Sequence, residues 1–84
     1  MRPIFALTLS TLLAAPAMAD RVVTDAERAK LLPAIAAQGC AGGKMEWDDD
    51  DREFEVDHAI CNDGRLYDLK FDASFQLISK KLEH

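Results

Sequence analysis

Residues 40–61, CAGGKMEWDDDDREFEVDHAIC, hold both cysteines of an 84-residue chain, with twenty residues between them. A redox pair would be spaced C-x-x-C, and a structural zinc site would need four ligands. Neither pattern is present. Two cysteines allow one pairing within a chain, and in an oxidising compartment such a pair persists as a disulfide. Two free thiols, or a bridge between chains, are the alternatives. Closing a loop of this length stabilises by about 3 kcal/mol in the chain-entropy model. A small domain has a total stability of about 5 kcal/mol, so the bond would decide whether it folds. The reading of this stretch therefore turns on the compartment.

The N-terminus speaks to that. Met1-Arg2 is a short positive start, and Ile4 to Ala15 is a run of twelve residues broken only by Thr8, Ser10 and Thr11. Pro16 ends the run, and Ala17-Met18-Ala19 is a small-x-small cleavage site. This is the layout of a secretory signal peptide over residues 1–19. A buried N-terminal helix is the competing reading. A permanent membrane anchor needs about 20 apolar residues, and this run is shorter. No later segment is long enough to span a membrane. The expected localisation is periplasmic or secreted, with Asp20 as the new N-terminus. At the other end, Leu82-Glu83-His84 resembles the start of a histidine-tag remnant and is set apart from the expected domain, residues 20–81.

The whole chain carries a net charge of −5, and losing Arg2 leaves nine basic against fifteen acidic residues. That balance argues against nucleic acid or an anionic membrane surface as a partner. A chain of roughly 60 residues buries only about 60% of its unfolded surface, which makes a covalent staple valuable.

Outward from residues 40–61 the periodicity is plain. Upstream, Thr24-Asp25-Ala26-Glu27 reads as a capping box, followed by Leu31, Leu32 and Ile35 at helical spacing. Pro33 falls inside this pattern and predicts a kink or two short helices. Gly39 suits a left-handed C-terminal position. Within the stretch, Met45 and Trp47 alternate with polar residues, as do Phe54, Val56, His58 and Ile60, with Asp48 to Asp51 as the turn between them. Downstream, Asn62-Asp63-Gly64 is a hairpin signal. Tyr67, Leu69 and Phe71 form the next strand, Asp72-Ala73-Ser74 a turn, and Phe75 to Lys80 a less regular last strand. If Asp63-Gly64 are the two turn residues, Ile60 faces Tyr67, His58 faces Leu69 and Val56 faces Phe71. Cys61 then lies on the wet face, unless a bulge near His58 to Ile60 turns it inward. The fold class is α+β: one N-terminal helix, kinked or not, on one face of a three- to four-stranded antiparallel sheet with one disulfide.

Helix, Gly39, short strand, Phe54-Glu55-Val56-Asp57, Asp63-Gly64-Arg65 and Tyr67-Asp68-Leu69-Lys70-Phe71-Asp72 together resemble the PepSY domain. Its pattern is an amphipathic helix, a YEVE-like strand, a DG turn, a YEV-like strand and a D-x-x-TG turn. The likeness runs from Thr24 to about Ile78. The turn Asp72-Ala73-Ser74-Phe75-Gln76 departs from it by lacking Thr-Gly, and the cysteine pair is absent from the general pattern. The resemblance implies an exported, non-catalytic domain of the kind found in peptidase propeptides and cell-envelope proteins, with inhibition or regulation of peptidases as its role. It offers no catalytic residue and no cofactor.

The residues themselves add little chemistry. Ser74 and Ser79 sit in no nucleophile motif. His58 would need an orienting partner and a pocket to act as a base; the simpler reading is a half-buried sheet position. Asp48, Asp49, Asp50 and Asp51, with Trp47 beside them, are the candidate partner-binding residues, and Asp48 and Asp50 the weak candidate metal ligands. Counted from Asp48, the calcium-loop places for Gly and Glu hold Glu53 and Ala59, which does not fit that geometry. Trp47 is core or an interface anchor. The expected partner is a protein of the cell envelope, a peptidase among the candidates. A cation-responsive envelope protein using Asp48 to Asp51 is the alternative function.

Overall fold

The computed structural model describes residues 20–83. The expected leader and His84 lie outside them. The order is β1 (Asp20–Val22), α1 (Asp25–Ala37), β2 (Cys40–Ala41), β3 (Lys44–Asp48), β4 (Glu53–Cys61), β5 (Leu66–Asp72) and β6 (Leu77–Leu82). All pairings are antiparallel, in the order β1-β3-β4-β5-β6, with β2 paired to β4 beyond the end of β3. The α+β expectation holds, but the sheet has six strands rather than three or four. The additional ones, β1 and β2, have three and two residues, too few to show an alternating pattern.

The helix starts as its capping box dictates. The Glu27 amide donates to Thr24 Oγ1 at 3.1 Å and the Thr24 amide to Glu27 Oε1 at 2.9 Å. Arg21 reaches back from β1 to grip both oxygens of Glu27, at 2.8 and 2.9 Å. That fork holds the Glu27 carboxyl down at about 2, with the Thr24 amide adding to it. Leu31 and Ile35 are buried against the sheet. Pro33 lies inside one continuous helix, so of the two expectations the pair of short helices is not found. Pro33 and Ala29 are both exposed, so the carbonyl that loses its partner is within reach of water. Gly39 follows the Gln38 cap at φ 73, as its freedom there allows.

The core lies between α1 and the near face of the sheet, built on Leu31, Ile35, Phe54, Val56, Leu69 and Phe71. Phe54 stacks its ring on Phe75 at 4.9 Å and meets Trp47 at 4.6 Å. The register differs from the simple hairpin. Val56 faces Leu69 and Phe54 faces Phe71, but Ala59 faces Tyr67 and Ile60 faces Leu66. Two causes combine. The turn has three residues, Asn62 to Gly64: the Cys61 amide donates to the Arg65 carbonyl at 3.0 Å, and Gly64 takes φ 79. The ladder also slips between Val56 and Ala59, with His58 at φ 62. This bulge reverses the parity of β4. Ala59 and Cys61 turn into the core, while His58 and Ile60 are exposed, so the half-buried position expected for His58 is not found. Gly43 lies against the bulge. A Cβ there would stand 2.8 Å from Val56 Cγ1 and 2.9 Å from the Asp57 carbonyl.

The sheet runs through Leu82, which faces Tyr67, and the Glu83 amide donates to the Leu66 carbonyl at 2.9 Å. These two residues, set apart in the sequence, thus pair with β5. No helix among the described residues is long and apolar enough to cross a membrane.

Candidate functional site

The disulfide joins Cys40 to Cys61, which face each other in the β2–β4 ladder. Cys40 stands three residues beyond the end of α1 and Cys61 closes β4, so the bond ties the helical layer to the central strand. Both are buried, at 6% and 7% exposure.

Trp47 is in the core cluster at 7% exposure. Its indole N–H donates to Asp49 Oδ1 at 3.3 Å, and the Arg52 guanidinium lies 5.2 Å from its ring. Asp49 also pairs with Arg52 at 3.2 Å. The expected acidic turn is thus knitted to the tryptophan. Asp48 is taken up by the turn itself: its Oδ1 accepts the amides of Asp50 and Asp51 at 2.9 and 3.2 Å. Asp50 and Asp51 are exposed. Oxygens of Asp48, Asp51 and Glu53 lie within 4.8 Å of one another, a grouping that includes Asp48 but not Asp50. Glu53 leans the other way, with Oε2 3.2 Å from Lys70 Nζ.

The wet face carries a second acidic grouping. Asp20, Glu46 and Glu55, from β1, β3 and β4, also bring carboxylate oxygens within 4.8 Å of one another. Partial burial, then the charges of Asp20 and Asp48, push the Glu55 carboxyl up to about 7. Desolvation, then Asp48 and Glu46, raise the Asp20 carboxyl as well. Sequence reasoning missed this grouping because β1 was not recognised; the alternation of Glu46 and Glu55 opposite Met45 and Phe54 was its one visible trace. Beside it lies a shallow groove lined by Glu55, Asp57, Asp68, Lys70, Ser79 and Lys81, next to the bulge.

His58 is exposed and turned away from that core. Its Nδ1 meets Glu83 Oε1 at 2.7 Å, which raises the imidazole above its ordinary range. Among the described residues the imidazole is hydrogen-bonded to the Glu83 carboxylate and not to a serine or cysteine.

Two edges of the sheet remain. β1 covers the β3 edge with three residues, and β6 forms the other edge with six. Along the β6 side stand Ile78, 53% exposed, and Lys80, whose Nζ lies 5.0 Å from the Tyr67 ring centre and 3.2 Å from the Gln38 carbonyl. This arrangement offers a platform and an edge rather than a closed pocket.

A family model described as PepSY_2, peptidase propeptide and YPEB domain, matches residues 3–81. No curated protein and no solved structure matches the chain.

Proposed function

The chain belongs to the PepSY_2 family, peptidase propeptide and YPEB domain, and from that premise we propose that it is an exported, non-catalytic binding domain that inhibits or modulates a peptidase of the cell envelope. The observation that carries this reading is the family match across nearly the whole chain. The site chemistry agrees with it: the polar groups around the groove are spread over an open sheet face. A disulfide suits an oxidising compartment. The decisive experiment adds the purified, oxidised protein to an envelope peptidase fraction of the source organism and follows hydrolysis of a labelled casein. A saturable change in rate is expected. An unchanged rate up to about 10 μM protein refutes the reading, because that concentration would fill a site of micromolar affinity.

A second reading rests on the two carboxylate groupings, Asp48–Asp51–Glu53 and Asp20–Glu46–Glu55. In it the domain responds to divalent cations, with the Asp48 to Asp51 turn as the contact. Thermal melts with and without millimolar calcium separate the two: a rise of several degrees supports the cation reading, and superimposable curves dismiss it.

A further inference from the structure

We propose that the outer edge of β6 receives an extended segment of the partner protein that carries carboxylates on the side facing α1. This rests on the binding-domain reading and names the surface and its chemistry. Among the described residues both terminal strands, β1 and β6, are paired on one side only, but β1 has three residues and β6 six, so β6 offers the longer open edge. A free edge offers a row of backbone donors and acceptors that an added strand satisfies.

The charge along this edge differs from that of the chain. Net charge is −5, yet the rim between α1 and β6 presents two ammonium groups held over aromatic rings. Lys30 Nζ lies 5.8 Å from the ring centre of Phe75, in the turn before β6, and Lys80 Nζ 5.0 Å from that of Tyr67, which faces Leu82 at the far end of β6. Arg21, Lys44, Arg52 and Lys70 each have a carboxylate oxygen within 4.0 Å; among the described residues Lys30 and Lys80 have none, as is also true of Arg28, Arg65 and Lys81, and Lys80 donates to the Gln38 carbonyl at 3.2 Å. The rings orient the two cations without neutralising them. Between them Leu77 and Ile78 are 38% and 53% exposed.

An extended chain advances roughly 3.3 Å per residue and returns to the same face every second residue. A segment laid along β6 therefore answers this rim with two carboxylates four residues apart and an apolar side chain midway. Lysines on an edge strand also serve to discourage pairing, and the following test separates the two roles.

The oxidised protein is titrated with three blocked heptapeptides and followed by its backbone amide resonances. All have threonine at odd positions; the even ones are glutamate, valine, glutamate in the first, lysine, valine, lysine in the second, and all threonine in the third. The glutamate peptide is expected to move the Leu77–Leu82 amides and to bind at least about tenfold tighter than the others. The double variant Lys30→Glu, Lys80→Glu, with an unchanged melt, should reverse the preference in favour of the lysine peptide. Shifts confined to other elements, affinity indifferent to peptide charge, or no binding of any peptide overturns the proposal. If the protein alters peptidase rate while the double variant alters it equally, the edge assignment falls and the binding-domain reading stands.

Discussion

His58, at φ 62 in the bulge of β4, sets the direction of Cys61 three residues later. Without the slip, Cys61 would continue the alternation of Glu55 and Asp57 onto the wet face, out of reach of the helical layer. With it, Cys61 is buried and bonded to Cys40. The backbone irregularity and the covalent bond are one device.

Breaking the bond should therefore cost much of the stability. Cys40→Ser or Cys61→Ser, or reductant on the wild type, is expected to remove about 3 kcal/mol by loop entropy alone. Thermal melts followed by circular dichroism read this as a fall in Tm of many degrees.

The bulge makes an opposite pair of predictions. His58→Gly relieves the left-handed strain and should leave stability within about 0.5 kcal/mol of wild type or above it. His58→Val forces a β-branched residue into the same φ and should cost about 1–3 kcal/mol. Urea melts of the two variants, compared with wild type, provide the check.

Stability should fall as pH rises through neutrality. Glu55 is pushed up to about 7 when folded, against 4.5 when free, so the folded chain holds the proton more tightly. Stability then declines between those two values, because the unfolded chain releases its proton there while the folded chain still holds it. His58, raised by Glu83, works the same way: its contribution is full below the free imidazole value and is lost as pH rises through the folded one. Glu27, held at about 2, contributes fully above its free value of 4.5 and loses that contribution progressively as pH falls from there through about 2. Glu55→Gln should flatten the melt-against-pH curve from 4.5 to 7, leaving the His58 contribution in place. An unaltered slope in that variant would show that the wet-face carboxylates do not share a field.

Phe54, at 3% exposure and in contact with Trp47 and Phe75, is the central ring of the core. Phe54→Ala should cost about 3–5 kcal/mol. The same rings explain why Phe75 tolerates φ 65, a conformation that favours glycine: stacking on Phe54 offsets the strain. Phe75→Gly should thus destabilise despite relieving the backbone, which an equilibrium urea melt will read directly.

Long-period information was legible in the sequence and local irregularity far less so. The capping box at Thr24, the stripe of Leu31 and Ile35, and the alternations of Met45 with Trp47 and of Leu69 with Phe71 all specify their elements through side-chain chemistry alone. β1 and β2 did not, since three and two residues carry no period and their pairing depends on β3 and β4 being in place. The bulge was legible only as one of two alternatives, through the cysteine pair. His58 and Ile60 continue the apolar alternation of Phe54 and Val56, and only the requirement that Cys61 reach Cys40 selects Ala59 for the interior. Of the candidate site, the cysteine pair was readable from compartment and count. The Asp48 to Asp51 run was readable as a turn, but not its knitting to Trp47 through Asp49. The Lys30–Lys80 rim joins residues fifty positions apart and needs the fold to exist before it can be seen.

In the proposed role, a peptidase docks on the sheet platform that the Cys40–Cys61 bond holds. The most direct test of that role compares oxidised protein with reduced and alkylated protein on the same envelope peptidase fraction, by initial rates. A saturable change in rate is expected with the oxidised form and none with the alkylated one. Equal effects from both forms, or no effect from either, would contradict it.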